Sequence, residues 1–183
     1  MDYIISESER LADLSSNILL LSKYENQEIV WDSRQYELDE QIRRCILLLE
    51  NQWEAKNLSF DIDLAPLQYN GNEEMMSHVW LNLIGNAIKF SEPGGTIRVS
   101  ASQRASWIEV SISDKGIGMS QHTLEHIFDK FFQGDPAHKS AGNGLRPPLV
   151  QRIVHLCGGQ ITVESAEQVG TTFHISLPLD RQR

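Results

Sequence analysis

The chain has 183 residues, 40% of them hydrophobic and 22% charged, enough to bury a core and to hold one domain with an appendage. Its formal net charge of -9 argues against a general nucleic-acid binder, because a phosphate backbone selects for clustered Lys and Arg. No apolar run approaches the roughly 20 residues of a membrane span and no signal peptide opens the chain, so no membrane contact is expected of it.

Ile4, Leu11, Leu14, Ile18, Leu21 and Tyr24 fall mostly three or four apart. This heptad-like seam predicts a helix that pairs with another helix or packs on its own domain. The pattern breaks between Glu25 and Ser33, where Trp31 begins a short extended piece, and a domain boundary is expected there, giving segments 1–27 and 28–183. Helical order resumes over 36–56 through Leu38, Ile42, Ile46, Leu49 and Trp53. Segments 58–64, 96–102, 107–113, 160–164 and 171–177 alternate apolar and polar residues and read as strands with one covered face. Helices interspersed with a mixed sheet predict an α+β fold, a two-layer α/β sandwich preceded by a helical segment. Cys45 and Cys157, far apart within apolar helical patterns, read as reduced core residues of a cytosolic protein and not as a metal pair.

Two stretches carry chemistry. Asn82, Asn86 and Lys89 stand at i, i+4 and i+7 on one helix face, while Met76, Val79, Leu83, Ile84, Ala87 and Ile88 supply a separate core face. An amide oxygen suits a hard cation and a lysine meets phosphate as a point charge, although an ordinary exposed face would read the same way in isolation. Downstream, the strand from Trp107 runs into Asp114-Lys115-Gly116-Ile117-Gly118-Met119. A carboxylate at a strand end can accept from an exocyclic amine, and the glycines let a flat ring approach the backbone.

These motifs resemble those of sensor histidine kinases: 82–90 their N box, 114–119 their G1 box, and Ile127-Phe128-Asp129-Lys130-Phe131-Phe132-Gln133 their F box. Gly142-Asn143-Gly144-Leu145 is similar to the start of their G2 box, and Gly170-Thr171-Thr172-Phe173 to the strand that closes their nucleotide site. The resemblance implies the Bergerat-type ATP-binding fold shared with gyrase, the heat-shock chaperone ATPase and the mismatch-repair ATPase, with ATP and Mg2+ as ligands. By the same resemblance Asp114 would bind the adenine amino group with Thr171 nearby, Gly116 and Gly118 would admit the base, and Lys89 would contact phosphate. Asn86 would coordinate the magnesium, Asn82 would shape the metal and water shell, and Phe131, Gly142, Gly144 and Leu145 complete the nucleotide-binding set. Zinc is not expected, since the histidines and cysteines lack its close spacings.

Residues 1–27 resemble the second helix of the family's dimerisation and phosphotransfer hairpin. The family follows its phospho-acceptor histidine with an acidic residue. None of His78, His122, His126, His138, His155 and His174 is so followed, so the acceptor is expected outside this sequence and no catalytic residue is assigned. The resemblance further implies a homodimer formed through the hairpin, the receiver domain of a response regulator as partner, and a cytoplasmic location, the parent protein being anchored in the bacterial cytoplasmic membrane.

Hydrolytic relatives place a glutamate where this chain has Asn82, and an asparagine cannot serve as that base, which favours transfer to a protein histidine over hydrolysis. The stretch 132–142, polar and rich in small residues, suits a lid over the phosphates or an ordinary surface loop. Where the family continues with another glycine and leucine, this chain has Arg146-Pro147-Pro148. A proline has no N–H to give, yet it is tolerated in a first helical turn, so a helix is still expected over 149–157, ending at Gly158-Gly159. The same departure supports a second reading, a degenerate nucleotide-binding or protein-interaction module with its phosphate cradle disabled. Arg146 could replace the lost donors with a guanidinium fork or obstruct the site by its bulk. A third reading is a relative that hydrolyses ATP or phosphorylates serine.

Overall fold

The computed structural model describes residues 2–25, 32–132 and 145–179. Along them run α1 (Asp2–Glu25), β1 (Arg34–Glu37), α2 (Leu38–Leu48), α3 (Glu50–Glu54), β2 (Ser59–Leu64), β3 (Gln68–Gly71) and α4 (Glu73–Phe90). They are followed by β4 (Thr96–Arg104), β5 (Trp107–Asp114), α5 (Gln121–His126), α6 (Arg146–Leu156), β6 (Gln160–Ala166) and β7 (Gly170–Pro178).

Strand alternation sorts the faces of the main sheet. Ile97, Val99 and Ala101 on β4, Ile108, Val110 and Ile112 on β5, and Phe173, Ile175 and Leu177 on β7 are all buried, while the residues between them are exposed or half-buried. The sheet runs in the order β2-β4-β5-β7-β6, with β2 parallel to β4 and every other pair antiparallel. Helices α2, α4 and α6 contribute Ile42, Ile46, Val79, Leu83, Ile84, Leu149, Val150 and Ile153 to the same core. This is the α+β, two-layer sandwich with a mixed sheet that the patterning predicts.

Helix α4 has strong local reasons to form. Asn72 Oδ1 accepts the N–H of Met75 at 2.9 Å as an N-cap, and Glu73 and Glu74 occupy the first turn, where the helix dipole favours negative charge. The expected core residues Met76, Val79, Leu83, Ile84, Ala87 and Ile88 are all buried, joined by Trp80. Trp80 Nε1 donates to Gln41 Oε1 at 2.9 Å, and Gln41 Nε2 donates to Glu73 O at 2.6 Å, which ties α4 to α2.

Three sequence expectations are corrected. Residues 36–56 are not one helical segment: Tyr36 lies in β1, and the helical stretch is interrupted at Leu49, whose N–H turns back to Ile46 O at 3.1 Å. Strand β1 pairs antiparallel with β3, Tyr36 opposite Tyr69, and the two rings meet edge-on with centroids 5.9 Å apart. Strand β3 escapes notice in the sequence because Gln68-Tyr69-Asn70-Gly71 carries one large apolar side chain, too few to alternate. Helix α6 begins three residues earlier than expected, at Arg146, because the fixed φ of Pro147 and Pro148 suits a first turn whose N–H groups need no intrahelical partner. It closes as expected: Gly158 adopts φ 74°, and Gly159 N–H reaches back to Val154 O at 2.9 Å.

The apolar seam of α1 is divided. Leu21 and Tyr24 are buried against the domain, with Arg152 Nε of α6 donating to Tyr24 O at 3.0 Å, whereas Leu11 and Ile18 are exposed. Trp31 lies outside the described residues. Cys45 and Cys157 are buried free thiols, and burial raises the Cys45 pKa to about 11. Among the described residues no helix is long and apolar enough to cross a membrane.

Candidate nucleotide-binding site

Asn82, Asn86 and Lys89 lie on one side of α4, all half-buried. Asn82 Nδ2 donates to His78 O one turn back at 2.7 Å, which fixes its amide along the helix. The C-terminal end of α4 is held by a residue with no apparent role in the sequence: Lys56 Nζ donates to Ile88 O at 3.0 Å, Lys89 O at 2.6 Å and Ser91 O at 3.0 Å. One ammonium thereby satisfies carbonyls that a helix end leaves without partners, and its charge complements the dipole there. Lys56 stands more than 30 positions from those carbonyls, so no local pattern announces it.

The loop after β5 threads between α4 and the β6–β7 turn. Ile117 N–H donates to Phe90 O at 3.3 Å, and Gln168 N–H donates to Ile117 O at 2.7 Å. At two positions on this path a side chain is excluded. A Cβ on Gly116 would collide with Phe90 O, and one on Gly118, which adopts φ 65°, would collide with Ala166 O. Ser165 completes the frame: its Oγ accepts the N–H of Met119 at 2.9 Å and lies 2.9 Å from Thr171 Oγ1.

Asp114 sits at the root of this loop, only 8% exposed, directly opposite Thr171 in the β5–β7 register. Its Oδ1 accepts the N–H of Gly116 at 2.9 Å. Burial pushes its carboxyl above the ordinary carboxylate range, and hydrogen bonds from the Gly116 and Thr171 backbones oppose that rise. The result is a held, largely desolvated acceptor at the end of a strand.

The fold thus gathers Asp114, Gly116, Gly118 and Thr171 around one loop, and that loop rests on the end of the helix that bears Asn82, Asn86 and Lys89. Phe131 is 63% exposed at φ 63°. Leu145 is fully buried, so its side chain serves the core, and its carbonyl accepts the N–H of Leu149. Gly142, Gly144 and most of the 132–142 stretch lie outside the described residues. Among the described residues no group of three His, Cys, Asp or Glu side chains could hold a metal ion. A depression of about 250 Å3 lined by Ser100, Arg104, Glu109 and His174 opens on the outer face of the sheet, away from α4, and takes no part in this arrangement.

Residues 71–181 match the model of the histidine kinase-, DNA gyrase B- and HSP90-like ATPase family. The chain belongs to this ATPase family. Relatives of this ATPase domain include the heme sensor protein HssS of Staphylococcus saprophyticus subsp. saprophyticus, 34% identical over 176 residues that make up 96% of this chain and 38% of that protein. The sensor-like histidine kinase SenX3 of Mycolicibacterium smegmatis is 29% identical over 179 residues, 96% of this chain and 46% of that protein. The chain therefore spans less than half the length of either relative. Among solved structures, the mycobacterial sensor histidine kinase MprB superposes with a TM-score of 0.71 at 27% identity, covering 82% of this chain and 99% of that one. The Acinetobacter baumannii histidine kinase AdeS shares the fold over 98% of this chain and 84% of its own, with a TM-score of 0.82 at 20% identity.

Proposed function

We propose that this ATPase-family chain is the nucleotide-binding catalytic region of a sensor histidine kinase, with residues 28–183 as the catalytic domain and residues 1–27 as the second helix of a dimerisation and phosphotransfer hairpin. The observation that carries the nucleotide reading is Asp114: a buried carboxylate at the end of a strand, with one oxygen held by Gly116, fits the amino group of adenine. Membership of the ATPase family and relatives named as sensor histidine kinases support the same reading. Thr171 flanks the base, and Lys89 meets the phosphates.

Asn86 would offer an amide oxygen to a magnesium ion, which would supply charge neutralisation at the transferring group. The chain's own part is positioning. In the transfer, an imidazole nitrogen of the acceptor forms a bond to the γ-phosphorus as the bond to the β,γ-bridging oxygen breaks; ADP leaves and the imidazole proton passes to a base beside the acceptor. Asn82 is no base, so water attack is slow and the nucleotide is kept for the histidine. A receiver domain of a response regulator is the onward acceptor, and the parent protein works at the cytoplasmic face of the membrane as a homodimer.

The experiment incubates the chain with magnesium and γ-labelled ATP in the presence of a helical hairpin carrying a histidine followed by an acidic residue. Acid-labile, base-stable label on the hairpin is the expected result. Nucleotide bound without transfer favours the degenerate binding module, and free phosphate without transfer favours the hydrolytic reading.

A further inference from the structure

We infer that the guanidinium of Arg146 is the phosphate-binding group at the start of α6, standing in for the backbone amides that Pro147 and Pro148 lack. The inference rests on the nucleotide-binding reading above and adds to it the residue that distinguishes a polyphosphate from a monophosphate.

The first turn of a helix ordinarily presents four unpaired N–H groups, which favour an anion. In α6 the first helical bond runs from Leu149 N–H to Leu145 O at 3.1 Å, and two of the residues between them are prolines with no N–H. The helix end keeps its dipole and loses half of its donors. Pro147 and Pro148 are buried, as is Leu145, so the start of α6 is anchored in the core on both sides of Arg146, itself only half-buried.

The direction of the Arg146 side chain is read from a glycine on the facing helix. Its Nη1 lies 3.8 Å from the position of a Cβ on Gly85, the one atom that such a Cβ would meet within 4 Å. At 3.6 residues per turn, Gly85 stands on the flank of the Asn82, Asn86 and Lys89 stripe. Arg146 therefore reaches from α6 to the edge of that stripe, and the missing side chain at Gly85 leaves it the space to do so.

A guanidinium has five N–H donors, no acceptor and a permanent charge, and its fork matches two oxygens of one phosphate. Arg146 approaches the flank of the α4 face that carries Lys89, so an anion bound there would meet two cationic side chains. The inference assigns the phosphates beyond the first to this position, with adenine at Asp114.

Calorimetric titration of ATP and ADP with magnesium, and of AMP, into the whole chain and into Arg146→Ala, Arg146→Lys and Gly85→Leu tests this. Arg146→Ala is expected to weaken ATP by about tenfold or more with AMP unchanged, Arg146→Lys to restore part of the loss, and Gly85→Leu, which fills the guanidinium's place, to behave like Arg146→Ala. Thermal melts of each variant separate a binding loss from a folding loss. ATP affinity equal to or higher than that of the unmodified chain in Arg146→Ala, with AMP still bound, overturns the role of Arg146 and leaves the nucleotide site standing. A parallel loss of AMP and ATP in Arg146→Ala also overturns it. Failure of the unmodified chain to bind any of the three removes the nucleotide reading itself.

Discussion

Asp114 Oδ1 accepts the N–H of Gly116 at 2.9 Å, so the carboxylate is aimed by the loop that it begins. Burial raises its pKa above the ordinary 3.8. The folded state then holds the proton more tightly than the unfolded chain, a contribution fully present below pH 3.8 and lost as pH rises through the raised folded value. At neutral pH the ionised group costs stability. Asp114→Asn keeps an oxygen for Gly116 and removes that charge, and it is expected to raise the melting temperature of the nucleotide-free chain at pH 7. The same change should weaken ATP by about tenfold or more, because an NH2 then faces the adenine amine. Calorimetry with and without ATP reads both effects.

Asn86→Ala removes the proposed metal ligand while leaving α4 intact, since alanine is the stronger helix former. ATP affinity measured with and without magnesium should differ in the unmodified chain and lose most of that difference in the variant. An undiminished magnesium effect would place the ion elsewhere.

Lys56→Met leaves the carbonyls of Ile88, Lys89 and Ser91 without their shared donor. A loss of about 1–3 kcal/mol in urea-determined stability is expected, the range for charge-assisted bonds. Nucleotide affinity should fall alongside it, because the frayed helix end carries Lys89.

His78 has its pKa lowered from 6.5, first by burial and then by Lys23, against the opposing pull of Glu74. A depressed pKa gives stability that is present above pH 6.5 and lost as pH falls through the lower folded value. His78→Gln should therefore show a shallower fall in melting temperature between neutral and mildly acidic pH than the unmodified chain.

Tyr24 is 1% exposed and its hydroxyl has no hydrogen-bond partner among the described residues. Tyr24→Phe is expected to be neutral or stabilising by up to about 1 kcal/mol, since it deletes an unsatisfied polar group without leaving a cavity. Tyr24→Ala should instead release the end of α1, seen as faster amide hydrogen exchange over residues 14–25.

Much of this molecule could be read locally. The five strands of the main sheet announce themselves because a period of two survives in the residues themselves, even on the edge strand β2, where Leu64 is buried but Ile62 is exposed. The stripe on α4 is legible for the same reason, since three polar residues at helical spacing cannot share a face with Leu83 and Ile84. Strand β3 could not be found this way; its pairing with β1 depends on a ring contact between Tyr36 and Tyr69, 33 positions apart. Lys56 and Ser165 were equally invisible, because a capping ammonium and a bridging hydroxyl are defined by distant partners.

The sequence by itself determined the fold class, the nucleotide-site motifs and the fact that Arg146-Pro147-Pro148 departs from the pattern, since each of these is written in residue type and spacing. Only the tertiary structure decided that α6 starts at Arg146, that the arginine reaches Gly85 on α4, and that Leu21 and Tyr24 of the α1 seam are covered by the domain. Those are relations between segments far apart in the chain, fixed by packing that no local window contains.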